Sequence, residues 1–327
     1  MKCICLSAAI LAMSAVSSSA SDTIRWLNDW YPSGDSSIIY YGVASGLFKE
    51  AGIDVTIDSA KGSSDAITRV ATGGADVAFS GLSALMQAKA ESDVPVTAVM
   101  SGFNTAPDAI ITFEGSGIET FADLKGKAVA SAAFSSSNVM WPLILDRNGL
   151  KPDDVALQKT DPGALGAMLA AGQVDAVISW VSTGAGFETP LKEAGKTIRV
   201  LPWAEFGLDS YGGSVIVADR LITGNPDLIK RFVTAYLKAE EAARANPEAA
   251  VAALKAVVPE ADADLGVKQL KAALTLIFND TTEKDGLGTF TKARLQATWE
   301  TVADAQGIDR NAVDPEAVVD RSFLPTN

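Results

Sequence analysis

A ten-residue pattern occurs twice in this chain. Ala71-Thr72-Gly73-Gly74-Ala75-Asp76-Val77-Ala78-Phe79-Ser80 has its counterpart 99 residues later in Ala170-Ala171-Gly172-Gln173-Val174-Asp175-Ala176-Val177-Ile178-Ser179. Each copy reads as a helix end, a glycine stop, an aspartate, a buried strand and a serine. Helix-Gly-strand junctions occur in any α/β protein, so one match alone carries little. Upstream of each copy a second junction matches too, helix into strand through Gly52-Ile53 and through Gly149-Leu150. Two junctions in the same order at nearly the same offset point to two similar α/β units.

The surrounding periodicity agrees. Tyr40, Val43, Ala44, Leu47 and Phe48 fall at helical spacing, and Ile53, Val55 and Ile57 alternate as in a strand. A helix near Ala66 to Ala71, a strand Asp76 to Phe79, a helix Leu82 to Ala90 and a strand Val96 to Met100 follow. Strands alternating with helices make a largely parallel sheet flanked by helices. At 327 residues the chain is long enough for two cores. After a strand at Ser214 to Ala218 the last third is mostly helical, with Pro226 and Pro247 suited to first turns. Helices returning to the first lobe make the second an insertion. The expected division is 21–104 plus 212–327 for lobe 1 and 105–211 for lobe 2, with crossings near Ser101 to Asp108 and Trp203 to Gly213.

The N-terminus differs from the rest. Lys2, an apolar stretch from Ile4 to Val16 and then Ser18-Ser19-Ala20 form a signal-peptide pattern over 1–20, cleaved after Ala20; an ordinary buried helix is the alternative. Cys3 and Cys5 both lie inside it, so the mature chain has no thiol for a disulfide or a metal. No later apolar run reaches the roughly 18 residues that span a bilayer. Without Lys2 there are 26 basic against 40 acidic residues, a net charge of −14, which argues against nucleic acid or anionic lipid as partner.

In an open parallel sheet the ligand crevice lies beyond the carboxyl ends of the strands. Four segments are expected there. The first follows the strand Ile24 to Leu27 and runs from Asn28 through Trp30 to Ser36. The second and third are Ser80-Gly81 and its counterpart Ser179-Trp180, and the fourth is the turn Phe134-Ser135-Ser136-Ser137-Asn138 before a helix. The serines either cap that helix or leave its first-turn N–H groups to an acceptor or anion. Trp30 and Trp180 are either core residues or a pair of indoles that clamp a flat ligand from both lobes. Candidate ligand-binding residues are therefore Asn28, Trp30, Ser36, Ser80, Gly81, Ser135, Ser136, Ser137, Asn138 and Trp180, with Tyr211 near the second crossing. Asp29, Asp35 and Asp108 read as solvated or capping carboxylates, since nothing in the sequence pairs them.

The chain resembles the periplasmic substrate-binding proteins of the nitrate/taurine/alkanesulfonate transporter class, and within it the pyrimidine-precursor-binding branch. The likeness rests on Leu27 to Pro32 (LNDWYP), Gly46 to Val55 (GLFKEAGIDV), Gly74 to Phe79 (GADVAF), Asp123 to Val129 (DLKGKAV), the serine turn and Gly172 to Trp180 (GQVDAVISW). It implies a type II periplasmic binding fold, two α/β lobes joined by two crossover segments that close on a ligand. It also implies docking of the closed form on an import permease powered by an ATPase. Trp30 takes the place of the branch's stacking aromatic, with Pro32 its companion. Ser36 stands where pyrimidine-synthesising relatives have a histidine, and this chain has no histidine at all.

The expected function is thus a non-catalytic, exported, periplasmic solute-binding protein of an ABC importer. Its ligand is expected to be aromatic or heterocyclic and pyrimidine-like; a small anion such as an alkanesulfonate, taurine or nitrate is the alternative. A sensor subunit docking on a receptor uses the same closure. Absence of histidine and of mature cysteine removes Ser-His-Asp, Cys-His and His-metal chemistry together. No cofactor, metal, nucleic acid or membrane insertion is expected, and the chain should act as a monomer.

Overall fold

The computed structural model describes residues 21–325; the expected signal segment with both cysteines lies outside them. Ten strands form two sheets of five. The first contains β1 (Asp22–Asn28), β2 (Ile53–Ser59), β3 (Val77–Gly81), β4 (Val96–Ser101) and β10 (Gly213–Ala218) in the order β2-β1-β3-β10-β4. The second contains β5 (Asp108–Phe113), β6 (Ala128–Ala132), β7 (Ala156–Thr160), β8 (Ala176–Trp180) and β9 (Ile198–Pro202) in the order β7-β6-β8-β5-β9.

In each sheet one strand runs against the other four, β10 in the first and β5 in the second. The reason is where the chain enters. Both strands directly follow a crossing between the sheets, so each starts at the end where its neighbours finish. The crossings brace each other: Gly102 and Phe103 N–H groups donate to Gly213 O (2.9 and 2.7 Å), and Gly212 N–H donates to Phe103 O (2.8 Å).

The repeated pattern has the same physical role in both lobes. Gly73 and Gly172 end their helices at φ 81° and 70°, the left-handed region that a residue with a Cβ avoids. Asp76 then accepts the Arg25 N–H (2.9 Å) while its own N–H donates to Arg25 O (2.9 Å), closing a ring onto β1. Asp175 makes the same ring with Ala128 at the start of β6, both bonds at 2.8 Å. Each aspartate thereby sets the register of a buried strand against its neighbour, Trp26 opposite Val77 and Val129 opposite Ala176.

Two features depart from the periodicity. The helix expected through Tyr40 to Phe48 is interrupted at Ser45-Gly46, giving Ser37–Ala44 and a short Leu47–Glu50. The returning helices, expected on the first lobe, also touch the second. The Gln306 side chain donates to Val139 O (2.5 Å), and Lys268 pairs with Glu188 (2.5 Å).

Candidate functional site

β1 lies inside its sheet and its carboxyl end opens onto a cavity between the lobes. Trp26 and Asn28 share one face of the strand by its two-residue alternation. The Trp26 indole stacks on Tyr236 at 5.2 Å between centroids and donates Nε1–H to Asn28 Oδ1 (2.8 Å). The Asn28 amide reaches the Tyr40 hydroxyl at 3.4 Å. Asn28 therefore orients two rings, and Tyr236, on the helix Pro226–Ala245, supplies part of the wall.

Past the strand end, Asp29 is 7% exposed, and its Oδ2 accepts from the Ser63 hydroxyl (2.8 Å), which in turn accepts the Gly81 N–H (3.0 Å). Burial pushes the Asp29 carboxyl up to about 7; the Ser63 bond opposes the rise and the charge of Asp35 adds to it. Burial likewise raises Asp35, against hydrogen bonds from Ser33 (2.5 Å) and Ser182 (2.8 Å). The Ser182 bond crosses from the second lobe. Both carboxylates line the cavity, where the sequence suggested only solvated or capping roles.

The two candidate indoles cross the cleft in opposite senses. Trp30, carried by the first lobe, packs against the second-lobe cluster around Ile111, Leu165 and Phe187. Trp180, at the end of β8, packs into the first-lobe cluster, edge-on to Phe79 (6.5 Å) and Phe103 (5.7 Å). Both line the cavity. At the rim Lys61 pairs with Asp161 (2.8 Å), the Tyr31 hydroxyl donates to the same carboxylate (3.0 Å), and Ser64 N–H donates to Phe134 O (3.1 Å). Bonds across the mouth from both sides define a closed cleft.

Of the residues singled out by sequence, Asn28, Trp30, Ser36, Ser135 and Trp180 line this cavity. The others lie behind it. Ser80 is fully buried and donates to Ser63 O (3.2 Å). Gly81 lies against Ser136, so close that a Cβ on it would fall 2.4 Å from the Ser136 Cβ. Ser137 donates to Asp108 (2.5 Å), whose carboxyl burial raises to about 6 against that bond. The Asn138 amide donates to Ala132 O (2.8 Å). Tyr211 sits in the core, its ring 5.2 Å from Phe290 and its oxygen accepting the Thr291 N–H (2.8 Å). Tyr236 and Thr183 also line the cavity; the sequence marked Tyr236 only as part of an apolar helix face and Thr183 not at all, because only packing brings them to the strand ends.

Two α/β lobes with an aromatic-walled cavity between them at their strand ends have the periplasmic binding protein fold. The alkanesulfonate-binding protein SsuA from Xanthomonas axonopodis pv. citri superposes with a TM-score of 0.70 at 18% identity, covering 92% of this chain and 99% of that one. The chain belongs to the NMT1/THI5-like family, whose model matches residues 33–250, two thirds of its length. A formylaminopyrimidine-binding protein of Halalkalibacterium halodurans is 26% identical over 270 residues, 82% of this chain and 80% of that protein. A riboflavin-binding protein of Chloroflexus aurantiacus is 27% identical over 297 residues, 88% and 81%. A 4-amino-5-hydroxymethyl-2-methylpyrimidine phosphate synthase of Saccharomyces cerevisiae is 25% identical over 267 residues, 76% and 75%.

Proposed function

We propose that this protein is the exported solute-binding component of an ABC importer, which captures a flat aromatic or heterocyclic compound of pyrimidine-like size and delivers it to the permease. The observation that carries the reading is the cavity between the lobes lined by three indoles, Trp26 and Trp30 from the first lobe and Trp180 from the second. A flat ring lying against these indoles buries apolar area contributed by residues of both lobes. The relatives named for binding a formylaminopyrimidine and riboflavin support the same ligand class.

The reading is non-catalytic. The chain has no histidine, the yeast synthase relative notwithstanding, and the carboxylates of the cavity are held by serine hydroxyls. The small-anion alternative loses support at the serine turn. There the Ser137 hydroxyl is taken up by Asp108, a carboxylate at the helix start where an anion would sit. Export rests on the signal pattern over 1–20, and no described helix is long and apolar enough to cross a membrane.

A thermal-shift screen of residues 21–327 against pyrimidines, flavins, aromatic acids, alkanesulfonates, taurine and nitrate tests the reading, because a ligand of the folded state raises the melting temperature. A shift with a heterocycle supports it; a shift with sulfonates alone replaces the ligand class. Ligand-dependent co-purification with the cognate permease supports delivery, and capture by a receptor instead makes the protein a sensor.

A further inference from the structure

The ionisable lining of the cavity is one-sided. Asp29 and Asp35 contribute two carboxylates, no lysine or arginine lines the wall among the described residues, and the chain has no histidine. Lys61, at the rim, is engaged by Asp161. Asp29 is more than nine-tenths buried, and while Oδ2 takes the Ser63 bond, Oδ1 accepts nothing from another described residue. The Asp29 carboxylate lies on the cavity wall and, as an acceptor with two oxygens, can take a further hydrogen bond from a ligand.

The chemistry of that ligand follows from what each charge type would meet. An anion would face two carboxylates with no counter-charge. A neutral ring would stack on the indoles but give Asp29 only an ordinary hydrogen bond. A cation would gain the aromatic faces and a charge-assisted bond at once. We propose that the ligand presents a protonated, amidine-like nitrogen edge to Asp29 and Asp35, so that the cleft selects flat basic nitrogen compounds and rejects anions; this rests on reading the cleft as the ligand site. Burial holds the Asp29 carboxyl up at about 7, with the charge of Asp35 adding to the rise, and a bound cation relieves both.

Benzamidine, benzamide and benzoate share one shape and carry charges of opposite sign or none, so they isolate the electrostatic part. Titration followed by tryptophan fluorescence at pH 7.5 should give a Kd for benzamidine about tenfold below that for benzamide, with benzoate weakest. In Asp29→Asn and Asp35→Asn, whose folding is checked by their melting curves, the benzamide-to-benzamidine Kd ratio should fall from about ten toward one. Benzoate binding as well as benzamidine, or a ratio unchanged in both variants, overturns the charge assignment. Silence of all three, with binding of an uncharged heterocycle that Trp30→Ala abolishes, also overturns it and leaves the binding-protein reading intact. Silence across the whole ligand panel overturns both.

Discussion

Replacing Asp29 by Asn removes a titrating group from the cavity while keeping its shape and its acceptor toward Ser63. In the ligand-free fold the Asp29 carboxyl is raised from 3.8 to about 7 by burial. A carboxyl raised on folding contributes stability that is complete below its unfolded value and lost as pH climbs to its folded one. At roughly 1.4 kcal/mol for each pH unit, the ceiling on this loss is about 4 kcal/mol between pH 4 and pH 7. The new amide puts an N–H group where Oδ1 was, at a cost of about 1 kcal/mol if it finds no partner. The variant should therefore be more stable than the parent at pH 8 by about 1–3 kcal/mol and no more stable at pH 4. Urea unfolding at pH 4, 6 and 8 reads this directly, and in thermal scans it amounts to about 2 °C per kcal/mol for a chain of this size. Asp108, raised to about 6 by burial, and Asp35, raised by burial as well, leave the variant with a residual, shallower fall in stability above pH 4. If the two proteins lose stability in parallel from pH 4 to 8, Asp29 is not ionised at a cost and the electrostatic account of the cavity fails.

Gly81→Ala should block closure, because the added methyl falls 2.4 Å from Ser136 of the opposite lobe while the φ of Gly81, −62°, suits alanine; small-angle scattering should show no ligand-induced compaction and affinity should drop at least tenfold. Trp30→Ala should weaken heterocycle binding by about 2 kcal/mol in calorimetry. Ser136→Ala, behind the cavity wall, should cost under about 1 kcal/mol, and the reverse order would favour an anionic ligand. Lys61→Ala removes an exposed rim pair and should speed ligand release by no more than about fivefold, an effect that vanishes at high salt.

Much of the fold was legible because it is local. The paired Gly-x-x-Asp junctions at Gly73 and Gly172 need only neighbouring residues to end a helix and begin a buried strand, and they recur in the same order in both lobes. The strand ends that face the cleft follow from that order, which is why Asn28, Trp30 and Trp180 could be named in advance. What the chain alone leaves open is every property set by residues far apart in sequence. Asp35 meets Ser182 across 147 positions, and Tyr236 reaches Trp26 from a helix whose spacing shows only a core face. The burial that raises Asp29, and the closeness of Gly81 to Ser136, belong to the closed arrangement of the two lobes. Periodicity fixes which face of an element is apolar, whereas solvation and charge at a cleft depend on what a second element brings to it, and only the tertiary structure decides that.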